Sequence, residues 1–399
     1  MNIEVLGKPV QLTGNDIWIK ISGGSAPGGA VDYKYMLKLF STDGQIPGAP
    51  FVDAIAPDEN GEAFFNISGL VDIPFPAVFE YPPVGAIRAN SAQTLKVQVQ
   101  AGESWINENG LYKEEWGPTA PEFQLLKGGL TSLQNAMFSD DNTTFYDVFV
   151  VGKRFLTSRP WGDYVHPTQP IKLYFMAFEN ISANFTISCY YFDGTSDVFS
   201  TAVVLGTSSL FEFNCNPALH GKPMINSNGS RMNFFDVALK SGNSNVSDDY
   251  RFHVDWKFCE RPFFMLFANS FGGIDDFYFS GFAKQGIKAE GEIVYKPQGR
   301  NATVLDPTLI TPNRTGQDSW TINTGYKSAS TLRYLRNLIM ARQAWLLFPN
   351  LAVSSYRVIP VIITNTDTEL MNYQEDLNNI DIEMIEAHSS PFSLYSRMY

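Results

Sequence analysis

The sequence predicts a mainly β protein, and three bulk properties support that prediction. Charged residues make up 18% of the 399 residues, below the quarter that is usual for globular proteins. Aromatic residues reach 14%, which excludes wholesale disorder. Glycine, proline, asparagine, serine and threonine are plentiful, and this balance favours many short strands joined by polar turns. A chain of this length is expected to form two or three domains.

Residues 1–128 are predicted to form an immunoglobulin- or fibronectin-like β-sandwich. Apolar and other residues alternate at 17–21 and 95–99, which is the period of half-buried strands. The dipeptide Asn60-Gly61 lies between two further alternating runs and is a strong hairpin signal. Short strands at this spacing are typical of the class, although the paired cysteines of antibody domains are missing.

Residues 129–285 are predicted to form a second β-sandwich or jelly-roll-like domain, entered through a short helix at 130–138. The strand candidates are 146–156, 172–178, 187–192, 211–215, 234–239 and 250–257. A hairpin at 262–282 brings the number of strands to about eight, which is enough for such a domain. The loops at 226–230 and 241–247 are predicted to be flexible, and they are either interaction loops or plain loop tips.

The middle of the chain is organised around the hairpin at 262–282. Its first limb is apolar on both faces, as in a strand that is buried on both sides. Gly272 and Gly273 supply the positive φ angles that a tight turn needs. The side chains of Asn269 and Asp275 are short and polar, so we expect them to bond the backbone of the turn.

A set of residues in this hairpin carries a resemblance to a known class of proteins. The residues are Asn269, Gly272, Gly273, Asp275, Phe277, Phe279 and Gly281. With a partial match at 154–160 and 169–175, the hairpin resembles structural virion proteins of the tail, neck or baseplate from tailed phages of Bacteroidetes, crAss-like phages included. The resemblance implies a non-enzymatic subunit of a tail, baseplate or neck ring. It also implies synthesis in the host cytoplasm, localisation in the virion, and partners that are further copies and other virion proteins.

Residues 286–399 are predicted to form an α+β assembly module. A helix is expected at 328–342, with Ser328 or Ser330 as its cap, and strands are expected at 344–348, 356–365 and 380–387.

Charge is polarised within this module. The charged residues between 320 and 357 are all basic, and those between 358 and 396 are all acidic. The two groups either neutralise each other within the domain or form complementary surfaces on neighbouring subunits. The predicted assembly surface comprises Arg333, Arg336, Arg342, Glu375, Asp376, Asp381 and Glu383.

The sequence predicts no enzyme, no metal site and no cofactor. The best metal-ligand candidates are Cys215, His220, His253 and Cys259, with Cys189 upstream, but their spacing matches no common zinc pattern. On one straight strand His253 and Cys259 would stand about 20 Å apart, too far to share an ion. The four histidines accompany no Gly-x-Ser-x-Gly elbow, and no phosphate-binding glycine loop is present.

The net charge and the pattern of apolar residues limit the partners. A net charge of −12 argues against general electrostatic binding of nucleic acid. No signal peptide and no stretch long enough to span a bilayer is predicted. The three cysteines are expected to be reduced thiols.

Two other functions remain open from the sequence. A glycan-binding adhesin or receptor-binding protein would present exposed aromatics and Asn/Ser/Gly loops to surface sugars, and exposed Trp or Tyr clustered on one face would favour it. A polysaccharide-degrading enzyme would need two facing carboxylates in a cleft and is the least favoured. The candidates for a sugar platform are Trp18, Trp105, Trp116, Trp161, Trp256, Trp320 and Trp345.

Overall fold

The chain forms two compact units. The computed structural model describes residues 1–72, 85–131, 134–136, 138, 143–207, 209–257, 262–297, 299–300, 303, 307–310, 315–350, 355–365, 377–387 and 390–391. Unit 1 comprises residues 1–162, 170–254 and 269–275, and unit 2 comprises residues 163–169, 255–268 and 276–399. Both are built from strands, so the prediction of a mainly β protein is confirmed. The three domain boundaries proposed from the sequence stay a prediction.

The strands are numbered in chain order. They are β1 (Asn2–Val5), β2 (Val10–Leu12), β3 (Trp18–Ser22), β4 (Val31–Ser41), β5 (Phe51–Ile55), β6 (Glu62–Asn66), β7 (Ile87–Ala89), β8 (Thr94–Ile106), β9 (Tyr112–Thr119), β10 (Phe123–Leu126), β11 (Asp163–Val165), β12 (Lys172–Ala177), β13 (Ile181–Tyr191), β14 (Ser196–Leu205), β15 (Ser209–Asn214), β16 (Met232–Ser241), β17 (Ser244–Asn245), β18 (Tyr250–Val254), β19 (Phe263–Ala268), β20 (Ile274–Phe279), β21 (Ala283–Glu290), β22 (Val294–Tyr295), β23 (Leu309–Ile310), β24 (Thr315–Asn323), β25 (Lys327–Ser328), β26 (Ala344–Asn350), β27 (Ser355–Ile363), β28 (Leu377–Asn378), β29 (Asp381–Glu386) and β30 (Ser390–Pro391). The helices are α1 (Ser68–Val71), α2 (Ala329–Ile339), a π-helix (Tyr146–Val151) and two 3₁₀ turns (Ser91–Gln93 and Pro217–His220).

The N-terminal part of unit 1 is the β-sandwich that the sequence predicts. One sheet has the order β1-β3-β6, and the other has the order β2-β10-β8-β4-β5 with β9 paired to β8. The two sheets share one hydrophobic core, to which Ile19 and Ile21 contribute from β3, and Val97 and Val99 from β8. The alternation in the sequence therefore marks the inward faces of these strands.

The turn at 57–61 corrects one detail of this prediction. The turn forms, because Asp58 N–H donates to the Glu62 carbonyl at 2.7 Å. Its flanking strands do not pair with each other: β5 pairs with β4, and β6 pairs with β3. The chain crosses from one sheet of the sandwich to the other at this turn, so a strong turn signal marks a crossover rather than a hairpin.

The second half of unit 1 contains two further sheets. Strands β18-β16-β13-β14 form the larger one, and β12-β15-β7 form the smaller one. Between β12 and β15 lies a buried ion pair of Lys172 with Glu212, and the Tyr174 hydroxyl donates to the same carboxylate at 2.6 Å. Burial, reinforced by the Glu212 charge, raises the pKa of Tyr174 well above its usual value. The pair satisfies charges that would otherwise be costly to bury.

The predicted strand at 146–156 is wrong, because residues Tyr146–Val151 form a π-helix. The run is rich in β-branched residues, which favours a strand prediction. A local signal outweighs it: Thr144 N–H donates to the Asp147 carboxylate at 3.1 Å, and Asp147 N–H donates back to Thr144 Oγ1 at 3.3 Å. This reciprocal pair is a capping box, which fixes the start of a helix.

Unit 2 is organised around one large sheet with the order β20-β19-β26-β27-β29-β24-β21. The hairpin predicted within residues 129–285 contributes its strands β19 and β20 to this sheet. Helix α2 buries Leu332, Leu335 and Leu338 in the core of the unit. Ser328 caps α2, as predicted, because its hydroxyl accepts from Thr331 N–H at 3.4 Å. Strands β26, β27 and β29 confirm the three strands predicted in this region.

Candidate functional site

The turn of the hairpin is held together by one buried asparagine. The side-chain carbonyl of Asn269 accepts from the backbone N–H of Phe271 and of Gly273, each at 3.0 Å. Its amide donates to the Leu156 carbonyl at 2.9 Å. Asn269 therefore bonds the backbone of the turn, as expected, and also ties the turn to a neighbouring segment of unit 1.

The glycines of the hairpin are required by close contacts. Gly272 has a φ of +90°, as predicted, and a Cβ atom there would lie 2.4 Å from Leu126 Cγ. The prediction of a positive φ at Gly273 is wrong, and glycine is required there because a Cβ atom would lie 2.9 Å from the Leu156 carbonyl oxygen. In unit 2, a Cβ atom at Gly281 would lie 2.4 Å from Asn323 Oδ1. Phe277 and Phe279 belong to the hydrophobic core of unit 2. The structure thus gives these residues of the resemblance roles in folding.

The same turn occurs at three other places in unit 1. At Asp58, Asn107 and Asn226, the side-chain oxygen likewise accepts from the backbone N–H groups two and four residues later. In every case a glycine with positive φ stands three residues after the Asn or Asp: Gly61, Gly110, Gly229 and, in the hairpin, Gly272. The pattern Asn/Asp-x-x-Gly is therefore a general turn of this fold.

The predicted assembly surface is exposed where the structure describes it. Arg333 and Arg336 are exposed on α2, Arg342 is exposed beyond it, and Asp381 and Glu383 are exposed on β29. Glu375 and Asp376 lie outside the described residues. Within the described ranges, neither Arg333 nor Arg336 forms an ion pair with an acidic side chain.

The metal-ligand candidates occupy separate places. Cys189 and Cys215 are buried, and burial raises the pKa of the Cys189 thiol to about 12. His220 Nε2 lies 2.6 Å from the Asn214 carbonyl, and Cys259 lies outside the described residues. Across the described part of the chain, no three His, Cys, Asp or Glu side chains come close enough to hold a metal ion. Nor is any helix there long and apolar enough to cross a membrane.

An aromatic–arginine stack lies on the outer face of the larger sheet in the second half of unit 1. Tyr190, Phe234 and His253 stand in one row, because β13 and β18 both pair with β16 in that register. The rings of Tyr190 and Phe234 are stacked at 4.6 Å. The Arg251 guanidinium lies 4.1 Å from the Phe234 centroid and 5.0 Å from that of Trp161, which is 59% exposed.

The arginine of this stack is fixed by a second interaction. Asp236 accepts from Arg251 Nε at 2.7 Å and from Nη2 at 2.8 Å. Such a two-point pair holds a guanidinium in one orientation. Among the seven tryptophans, Trp320 and Trp345 are buried in unit 2, whereas Trp18 and Trp161 are exposed.

A polar loop tip adjoins the stack. The Asp193 carboxylate accepts from Thr195 Oγ1 at 2.6 Å and from the Asn226 amide at 2.8 Å, and its backbone N–H donates to Ser230 Oγ at 3.0 Å. These hydrogen bonds, led by that from Thr195, lower the pKa of Asp193. The loop at 226–230, which the sequence predicts to be flexible, is therefore held by hydrogen bonds to Asp193. Tyr190 pairs with Ser196, the residue after Thr195, so the tip lies beside the aromatic row.

Strand β21 has no buried residue. It forms one edge of the large sheet of unit 2, and all eight of its residues are exposed, Ile287 to 73%. The short strands β22 and β23 that follow add exposed Tyr295 and Leu309. Edge strands present backbone groups that can pair with another chain, and grouped exposed apolar residues mark interaction surfaces.

Comparison with known proteins identifies no family for the chain. No protein-family model matches the chain, and no curated protein matches it. Similar solved structures include a marsupial T cell receptor, at 9% identity, which aligns over 80% of this chain and 96% of its own. The TM-score of 0.19 is too low to carry an argument. The chain is thus defined as a mainly β protein with several sheets arranged as β-sandwiches.

Proposed function

We propose that the protein is a non-enzymatic structural protein of a tailed-phage virion, a subunit of a tail, baseplate or neck ring. The resemblance of the hairpin residues suggests the class of virion protein. The fully exposed edge strand β21 is the observation that supports an assembly role. The partners would be copies of the same chain and neighbouring virion proteins.

Strand β21 favours assembly because of the way it combines exposure with apolar side chains. Ile287 is exposed in the middle of the strand, and Tyr295 is 66% exposed just beyond it. In an isolated molecule this apolar area stays in water, and burying it is worth about 25 cal/mol per Å². An added strand from a neighbouring subunit would pair with the open backbone edge and cover these side chains.

A closed ring adds a geometric condition. Ring contacts are head-to-tail, so the patch that contains β21 must meet a different patch on the next subunit. The exposed arginines Arg333 and Arg336 on α2 offer one charged patch, and Asp381 and Glu383 on β29 offer another of opposite sign. Complementary charge of this kind sets the register of an interface more than its strength.

The test is the mass of the purified protein in solution, measured by light scattering across a range of concentrations. We expect the wild type to form a discrete oligomer. The double variant Ile287→Glu/Tyr295→Glu should raise the dissociation constant at least about ten-fold, because it places charges where apolar area is buried. The control is Val204→Glu, at a valine of unit 1 that is 74% exposed.

Two results would contradict the proposal. One is equal assembly of the double variant and the Val204→Glu control, which would exclude β21 from the interface. The other is the absence of the protein from purified particles of the phage that encodes it, determined by mass spectrometry of the particles.

A further inference from the structure

We propose that the outer face of the sheet β18-β16-β13 carries a binding site for neutral carbohydrate, with the Trp161 indole as the platform for a sugar ring. This site lies within unit 1 and is independent of the assembly role of β21. The residues that build it are Trp161, Arg251, Phe234, Tyr190, His253 and, at the loop tip, Asn226.

The stack fixes the position of the Trp161 ring. The Arg251 guanidinium lies over the indole ring, and it is itself held by its contact with the Phe234 ring and by its ion pair with Asp236. Trp161 is nevertheless 59% exposed, so much of its surface faces solvent. A pre-ordered aromatic ring loses little conformational entropy when a ligand stacks on it. The C–H face of a pyranose is apolar and slightly electropositive, which suits the electron-rich face of an indole.

The backbone next to Trp161 lies beside the His253 imidazole. Gly162 has a φ of +77°, a conformation that favours glycine, and a methyl group at this position would lie 3.6 Å from the His253 imidazole. The His253 imidazole is therefore a close neighbour of the residue that follows the platform. Burial and the neighbouring Arg251 charge lower the pKa of His253, which favours the neutral form of the ring.

The charges of the site favour an uncharged ligand. Asp236 neutralises Arg251 through two hydrogen bonds, and the Asp193 carboxylate is occupied by hydroxyl and amide donors of the tip. An anionic sugar would meet the negative charge of the exposed Asp193 carboxylate. Hydroxyl-rich neutral sugars match a site with one aromatic platform and a few fixed polar groups.

The aromatic–arginine stack suits a chain of sugars better than a single sugar ring. From Trp161 the contacts continue through Arg251 and Phe234 to Tyr190, and the last three residues lie on the same face of the sheet. Beyond Tyr190 the tip adds the exposed side chain of Asn228, whose amide makes one long hydrogen bond to Asp193 at 3.4 Å. A polysaccharide lying along this face would therefore stack at one end and hydrogen-bond at the other.

The test is affinity electrophoresis of the full chain through gels that contain one neutral polysaccharide each: dextran, mannan, galactomannan or mixed-linkage β-glucan. Alginate and hyaluronan serve as anionic comparisons. We expect at least one neutral polysaccharide to retard the wild type. Trp161→Ala should weaken that retardation about ten-fold, and Trp161→Phe, which keeps a smaller ring, should weaken it less.

The matched control is Trp18→Ala, because Trp18 is an exposed tryptophan on β3, away from the stack. It should change the retardation less than about two-fold. Arg251→Leu should weaken binding as Trp161→Ala does, since the platform loses its support. Circular dichroism and the melting temperature of each variant establish that it is folded. The proposal is overturned if no neutral polysaccharide retards the wild type, if only the anionic ones do, or if Trp161→Ala and Trp18→Ala behave alike.

Discussion

Strands β20 and β21 follow one another in the chain and form the two opposite edges of the same sheet, yet their surroundings are opposite. All six residues of β20 are buried, and all eight of β21 are exposed. An edge strand can be protected by covering it or be left open for another chain. The sheet has one edge of each kind, a buried edge strand that contributes to the core and an edge strand that is exposed to solvent.

The burial of β20 is notable because two of its residues are acidic. The Asp276 carboxylate accepts a hydrogen bond from the Gln169 amide at 2.5 Å, and its backbone carbonyl accepts from the Tyr334 hydroxyl at 3.2 Å. Buried polar groups of this kind are tolerated only with such partners. On β21, Lys284 and Lys288 stay in water, so no partner is needed.

The largest expected effect comes from a core residue of β20. Phe279 is 1% exposed, and Phe279→Ala should lower the free energy of unfolding by about 3–5 kcal/mol, through lost burial and the cavity that remains. Ile287→Ala on β21 should change it by less than about 0.5 kcal/mol at concentrations where the protein is monomeric. Urea unfolding followed by tryptophan fluorescence measures both. Similar losses for the two variants would show that β21 is not an open edge in solution.

A second prediction compares two turns of the same geometry that differ in burial. Asn269→Ala removes the acceptor of two backbone N–H groups in a buried turn, and it should cost about 2–4 kcal/mol. Asn107→Ala removes the same two hydrogen bonds from an exposed turn, where water replaces them, and should cost about 0.5–1 kcal/mol. Both are measured by urea unfolding. Equal costs would mean that burial does not govern the contribution of this turn.

The sequence predicted many of the elements that bury an apolar face and missed a strand that buries none. The alternation at 17–21 and the apolar stripe of α2 both mark the core. Strand β21 was not expected, because it has no apolar face, and its strand geometry comes from pairing with β24 over eight residues. Strand β24 was also missed, although it buries Trp320 and Ile322 near its end, because its first five residues carry no apolar alternation. Apolar periodicity reports burial, so a strand defined by pairing alone leaves little trace in it.

Only part of the candidate site could be predicted from the sequence. The hairpin residues could be found because Asn269 and Gly272 form a local turn with a local signal. The aromatic stack could not, because Tyr190, Phe234 and Arg251 are distant in sequence and meet only through the register of three strands. Trp161 was one of seven tryptophans with nothing to single it out. Each of these strands has an aromatic residue on its otherwise polar face. That signal would identify the stack only if the pairing of the strands were known, because it is the pairing that makes the residues neighbours.

The smallest effect expected concerns a buried lysine, in contrast to the exposed lysines of β21. Lys127 in unit 1 is 2% exposed, and burial lowers its pKa to about 8, only partly offset by the charge of Asp43. Below pH 8 the lysine is charged in both the folded and the unfolded state, and the cost of burying that charge is fully present. As the pH rises above 8, the folded state releases its proton while the unfolded chain keeps it up to about 10.4, so this group makes the protein more stable.

The pH dependence is isolated by comparing the wild type with Lys127→Met, because tyrosines and cysteines also titrate in this range. Between pH 8 and about pH 9.5 the free energy of unfolding of the wild type should rise relative to Lys127→Met by on the order of 1 kcal/mol. Lys288→Met, which removes an exposed lysine of β21, should follow the wild type throughout. A flat difference between the wild type and Lys127→Met would mean that Lys127 keeps its charge in the folded state, held by its neighbours despite its burial.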